Sequence, residues 1–287
     1  MKKAVIYTVT GLVMLLTFNA CTNNNEEDME VLKVQNYIIL IDLSDRLLAD
    51  NQAGQDIAVI KSAFKRFTND VSKNLFVNSN DKFAVHLLYQ EKPVLNYDSL
   101  NNQLAIDLSL LPLQSKKRAL QQFADKLDTL LQVVYSQACS GKSHADYQGV
   151  DIWRFFNESL QYSLIDSADN HLIILTDGYF DFEHGRREYY RKKHRYASSV
   201  FYSKLKGANW KEIVEEMDYG LIPVIKPFSK TTVLVAGINP KNTMLTEVDK
   251  LTYFWDKWLN EMNFSNHIIL PKTNAKQWER MLPETAY

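Results

Sequence analysis

The sequence predicts an α/β protein: a doubly wound, mostly parallel sheet of about six strands, with helices on both faces and one antiparallel edge strand. Three observations carry this. Tyr37-Ile38-Ile39-Leu40-Ile41 is an apolar run that ends abruptly in Asp42-Leu43-Ser44-Asp45-Arg46, the pattern of a strand buried on both faces. His171-Leu172-Ile173-Ile174-Leu175-Thr176-Asp177-Gly178 repeats that design. Around them, apolar runs alternate with segments whose apolar residues recur at helical spacing, as in a parallel sheet covered on both sides. Ligands of such sheets sit outside the carboxyl ends of the strands. Asp42 and Asp177 therefore stand at one ligand-bearing edge.

After the first strand, Ile57, Ile60, Phe64, Phe67 and Val71 recur at steps of three and four and predict an amphipathic helix. Lys82 to Tyr89 reads as the next strand and Leu104 to Leu110 as a weaker one. Too few residues separate these two for a crossover helix, so the weaker strand is expected at an antiparallel edge. Leu120, Phe123, Leu127, Leu130, Leu131 and Val134 mark a long helix. A polar loop, 140–149, precedes another helix carrying Ile152, Phe155, Phe156, Leu160 and Leu164. The second key strand follows, and a charged insertion at about 182–216 breaks the alternation. Thr231 to Ile238 is a strand, Val248 to Met262 carries the strongest helical stripe, and His267 to Leu270 is the last strand. A short helix is expected near Trp278 to Met281. No Pro/Gly/Ser linker divides the chain, so 36–287 is expected to form one domain.

The N-terminus reads as a leader rather than as fold. Lys2 and Lys3 precede an apolar stretch from Ala4 to Phe18, and Asn19-Ala20-Cys21 follows; this is signal-peptide architecture, too short in its apolar part to span a bilayer. A cysteine directly after it resembles a bacterial lipoprotein signal. The resemblance implies removal of 1–20, lipid on Cys21, and a membrane anchor in the cell envelope, on the periplasmic or surface side of the outer membrane. Thr22 to Glu30, polar and acidic, reads as part of a solvated tether over 21–35; its acidic residues resemble surface-export signals of Bacteroidetes lipoproteins. With Cys21 lipidated, Cys139 has no partner in the chain, so stability rests on core burial. The chain of 287 residues is 46% hydrophobic and 23% charged, which supports a substantial core. Its net charge of -1 argues against a general nucleic-acid binder.

Asp42, Ser44 and Asp177 are hard oxygen donors with no soft ligand beside them, a set suited to Mg²⁺ or Ca²⁺. Here the sequence resembles the von Willebrand factor A family. That family's first strand ends in Asp-x-Ser-x-Ser, a threonine lies in a loop before a helix, and an aspartate, often in Thr-Asp-Gly, ends a later strand. Asp42 and Ser44 match the first two positions and Thr176-Asp177-Gly178 the last; together the resemblance implies a metal-ion-dependent adhesion site. Two positions depart. Arg46, which cannot ligate a cation, stands third in the triplet, and Gly149-Val150-Asp151-Ile152 has valine where the family has threonine, with Ser143 as stand-in. An Arg46 ion pair to one of the site carboxylates, replacing the metal, is the competing reading, and simple turn or cap roles for Asp42, Ser44 and Asp45 are the bland one.

Arg46, Asp45 and Asp181, with Arg186 and Arg187 from the basic run 186–195, are the expected partner contacts at the same edge. No Gly-x-Ser-x-Gly elbow, phosphate-binding glycine loop or zinc pair occurs. The first functional expectation is thus a non-enzymatic, membrane-tethered module that engages a protein partner at the strand-end crevice, through a divalent cation. The alternatives are a metal-dependent phosphoester or ester hydrolase using Asp42 and Asp177, and a metal-free envelope scaffold.

Overall fold

The run at 35–41 is β1 (Gln35–Ile41), and all seven of its residues are buried. It pairs in parallel with β2 (Lys82–Leu87) on one side and β4 (Asp169–Leu175) on the other. The computed structural model describes residues 33–74, 76, 80–90, 95–139, 141–180, 194–241 and 245–272, all in one compact unit that begins at Lys33. The main sheet has the order β3-β2-β1-β4-β7-β8. β3 (Ala105–Asp107) is the antiparallel edge, while β7 (Thr231–Ile238) and β8 (Asn266–Pro271) continue the parallel set. The expected strand 104–110 is cut to three residues because Leu108–Leu110 turn into a 3₁₀ helix. The short helix expected near Trp278 lies outside the described residues.

Alternation along β1 sorts its side chains onto two faces. Tyr37, Ile39 and Ile41 join a core under α1 (Gln52–Lys73) and α3 (Leu113–Ala138), where Phe64, Phe67, Phe83 and Phe123 pack ring against ring. Ile38 and Leu40 join a second core under α7 (Leu245–Glu261), built on Phe156, Phe180, Trp255 and Trp258. On this face the helix over 152–163 comes in three parts, Ile152–Arg154 (α4), a π turn at Phe155–Ser159 and Leu160–Ser163 (α5). A further short helix, α2 (Tyr97–Gln103), lies against β2.

The described part of the charged insertion, from residue 194 on, does not stand in solvent. β5 (Arg195–Tyr196) and β6 (Gly220–Leu221) pair in parallel, with α6 (Trp210–Met217) between them. Tyr196, Phe201, Trp210 and Val214 enter the second core, and Arg195 is held by Glu261 and Asp218 at 2.6–2.8 Å. Its charges are surface charges on a segment whose aromatic residues decide its place. Arg186 and Arg187 lie outside the described residues. No helix among the described residues is long and apolar enough to cross a membrane.

Two histidines are set into the sheet. Burial lowers His86 in β2 and His171 in β4 to about 4. His171 lies 4.4 Å from the Tyr37 ring, and its Nε2 has no hydrogen-bond partner among the described residues. The unfolded chain takes up these protons near pH 6.5, so between there and pH 4 it binds more protons than the folded chain. Stability is therefore lost as pH falls through that window. Measured in the Asp177→Asn background, which removes an opposing slope, His171→Gln is expected to flatten about half of this decline in urea midpoints from pH 4 to 7; an unchanged slope would refute the assignment.

Candidate functional site

The chain lays β2 and β3 to one side of β1 and then crosses to lay β4 on the other, so strand order reverses between β1 and β4. Their register sets Ile41 beside Leu175. The next residues, Asp42 and Thr176-Asp177, therefore leave the sheet side by side, and the Asp42 amide donates to the Leu175 carbonyl at 3.0 Å. Gly178 then turns the chain with φ +101°, and a Cβ there would meet the Ile238 side chain at 2.7 Å, so only glycine fits without displacement. Trp255 Nε1 donates to the Gly178 carbonyl at 3.0 Å and fixes this turn from α7.

Asp42, Ser44 and Asp177 line one cleft of about 300 Å³, its open mouth included, together with Asp45, Val150 and Lys241. Asp42 is fully engaged at its base. Its Oδ1 accepts the Ser44 amide at 2.9 Å, the Ser44 hydroxyl bonds the same carboxylate, and Oδ2 accepts the Thr176 hydroxyl at 2.8 Å. Each carboxylate oxygen has two lone pairs, so these three bonds leave one lone pair of the four on Asp42. Burial raises Asp42, with the Arg46 charge and these hydrogen bonds pulling the other way. Burial and then the Asp42 charge push Asp177 up to about 8. Two carboxylates thus share one enclosed site in which the second holds a proton at neutral pH unless a cation neutralises the pair.

Arg46 does not occupy the place expected of it. It is 5% exposed, so it is no partner contact. Its guanidinium forks onto Asp56 of α1 at 2.6 and 3.0 Å, with one further bond to the Asp42 carbonyl rather than to the Asp42 carboxylate. Gln52 and Tyr135 complete the shell of Asp56, at 2.9 and 2.8 Å. Burial works against the Arg46 charge, but Asp56 outweighs it and holds the guanidinium more firmly protonated than usual. The third position of the triplet therefore serves as a strut beneath the site, tying the β1 turn to α1 and α3.

Ser143 is also placed elsewhere. It is exposed, and its hydroxyl donates to Asp146 in a local turn. Val150 does line the cleft, so the loop before α4 presents an apolar wall there. Asp45 stands at the rim, where its Oδ2 accepts His144 Nδ1 at 2.6 Å and Lys241 Nζ at 3.0 Å. Asp181 and Cys21 lie outside the described residues. Among the described residues no group of three His, Cys, Asp or Glu is gathered as a metal site; the set at hand is two carboxylates and a hydroxyl.

Lys241 and Gln90 were not singled out by sequence reasoning, and Thr176 entered only as part of the Thr176-Asp177-Gly178 motif. Thr176 orients Asp42, and Lys241 brings an ammonium to the cleft that acts on Asp177. Gln90, buried just beyond β2, donates one amide hydrogen to the Leu43 carbonyl at 3.2 Å and the other to the Gln148 carbonyl at 3.0 Å, while its oxygen accepts the Tyr97 hydroxyl at 2.6 Å. It thereby joins the two loops that wall the cleft. Gln90→Leu removes these three bonds from the two loops and is expected to cost about 1–3 kcal/mol. A loss under about 0.5 kcal/mol in urea unfolding would show that the loops hold their places without it.

No protein-family model matches the sequence, and no curated protein does. Among solved structures the chain is similar to the pilus adhesin SpaC of Lactobacillus rhamnosus GG in its open conformation, with TM-score 0.41 and 11% identity over 86% of this chain and 29% of that one. It is also similar to proximal thread matrix protein 1 of the mussel byssus, with TM-score 0.36 and 12% identity over 87% of this chain and 46% of that one. The chain spans less than half the length of either protein. At these values no functional statement carries over.

Proposed function

We propose that the chain is a von Willebrand factor A-like binding module, tethered to the cell envelope by lipid at Cys21, whose strand-end cleft takes a divalent cation and engages a protein partner there. The observation that carries this reading is the convergence of Asp42, Ser44 and Asp177 on one cleft at the point where strand order reverses. Oxygen-only donors suit Mg²⁺ or Ca²⁺, and a buried carboxylate whose proton affinity is raised by burial and by its neighbour Asp42 is what such a cation would relieve. Asp42, Ser44 and Asp177 would hold it. The cation would supply a fixed positive charge at the cleft floor for an oxygen ligand of the partner.

The test is thermal melting with 5 mM Mg²⁺, Ca²⁺ or Mn²⁺ against chelator. A ligand bound only by the folded state must raise the melting temperature, and the rise should vanish in Asp42→Asn and Asp177→Asn. Absence of any shift would leave the metal-free scaffold. One observation favours that second reading: Lys241 already brings a positive charge to the same cleft. Under it, Lys241→Met should destabilise the protein equally with and without cations. The hydrolase reading would use the same two aspartates, and turnover of a phosphoester panel that requires the cation and is lost in Asp42→Asn would favour it.

A further inference from the structure

The pole of the sheet opposite the cleft carries an exposed apolar tip. Leu110 is 79% and Leu113 58% exposed, with exposed Pro112 between them. Their place follows from three contacts. The Leu108 amide donates to the Asp81 carbonyl at 2.9 Å, the Asp81 carboxylate accepts the Gln35 amide at 2.8 Å, and Asp107 pairs with Lys82 in the sheet. The tip therefore lies at the start of β1, where the chain enters the fold at Lys33. Asp42 ends the same strand, roughly 23 Å away at about 3.3 Å per residue.

Basic groups lie beside this tip. α3 opens at Leu113 with Pro112 as its cap residue, no side-chain cap and no acid in its first turn, so the positive end of a 26-residue helix faces outward. Lys117 and Arg118, both exposed, follow within the next turn. Asp107, at the end of β3, is held by Lys82 at 2.8 Å. Exposed leucines beside basic groups that make no ion pair among the described residues fit a bilayer surface bearing anionic headgroups. The connection to the membrane is short. Residues 21–32 can span no more than roughly 40 Å from a lipidated Cys21, so this pole, where the chain enters the fold, lies within reach of the bilayer.

We propose that Leu110 and Leu113, with Lys117 and Arg118, rest on anionic phospholipid, turning the Asp42–Asp177 cleft away from the membrane. This builds on the lipid-anchor reading of Cys21 but is measured apart from it.

Both cores are built from residues between Tyr37 and Leu270, so residues 1–20 can be replaced by a hexahistidine tag. The tagged chain, with Cys21→Ser and Cys139→Ser, is bound to vesicles containing nickel-chelating lipid. A fluorophore is placed at Gln114→Cys, or at Lys142→Cys in the loop before α4, and quenched by spin-labelled headgroups. Quenching is expected at 114 and not at 142, and only when phosphatidylglycerol is present. Leu110→Glu with Leu113→Glu should reduce it about tenfold at an unchanged melting temperature, and Lys117→Glu with Arg118→Glu should act likewise. Equal quenching at both labels, or quenching indifferent to both double variants, would overturn the proposal. Lipidation of Cys21 is read independently from the mass of the mature chain, and its failure would leave the quenching result standing.

Discussion

Asp56→Ala is expected to lower the unfolding free energy by about 3–5 kcal/mol, the range found when one partner of a buried ion pair is removed. Arg46 would keep its charge with no carboxylate in its fork, and Tyr135 and Gln52 would each lose an acceptor. The loss should be read in urea at neutral pH, and a value below about 1 kcal/mol would mean that water reaches the guanidinium. The double variant Arg46→Met with Asp56→Leu should recover most of it, because replacing a buried pair by apolar residues is often neutral. Freed from Asp56, Arg46 would also turn its charge on Asp42, so any cation-induced melting shift should shrink in Asp56→Ala and return in the double variant.

The second large effect concerns pH in the presence of chelator. Asp177 is raised to about 8 by burial and by Asp42. Between its unfolded value near 4 and that figure, the folded chain binds the extra proton. Stability must therefore fall as pH rises through that window and level off above it. The span corresponds to at most about 5 kcal/mol at 1.36 kcal/mol per unit, a ceiling that the coupling to Asp42 spreads over both groups. The two histidines impose the opposite slope below pH 6.5, so the chelated protein should be most stable near pH 6–7. Asp177→Asn should remove the decline on the alkaline side. Saturating Mg²⁺ should do the same in the parent chain, because the cation takes the proton's place. A chelated protein whose stability climbs from pH 7 to 9 would contradict the buried pair.

The architecture was largely legible because it rests on periodicity. β1 and β4 announce themselves as apolar runs, and the short connection between β2 and β3 foretold the antiparallel edge that the structure has. Both site aspartates were legible for the same reason: each follows an apolar run at a strand's carboxyl end. What escaped was partnership across long separations. Asp56 did leave a trace, as an acid in line with Ile60 and Phe67 on the buried stripe of α1, and a buried acid needs a cation. Nothing in the sequence tied that cation to Arg46, ten residues away and on the preceding turn. Lys241 sits in an unpatterned polar stretch, and Gln90 opens the polar run Gln90-Glu91-Lys92 after a strand, so no local rule could assign them to the cleft. The packing of the insertion's described part was not legible either, because its charges outnumber its aromatics in sequence while Tyr196, Phe201 and Trp210 govern its place in the core.

The bond from Trp255 to the Gly178 carbonyl carries a practical consequence. Trp255 is fully buried and lies against Phe180 at 4.4 Å, while its indole hydrogen is held by the residue next to Asp177. Any event that shifts the Asp177–Gly178 turn must change the dipole felt by that indole and with it the colour and yield of its emission. The chain thus contains its own optical reporter on the turn that follows Asp177, and Trp255→Phe is the blank against which titrations of cation or partner can be read without a label.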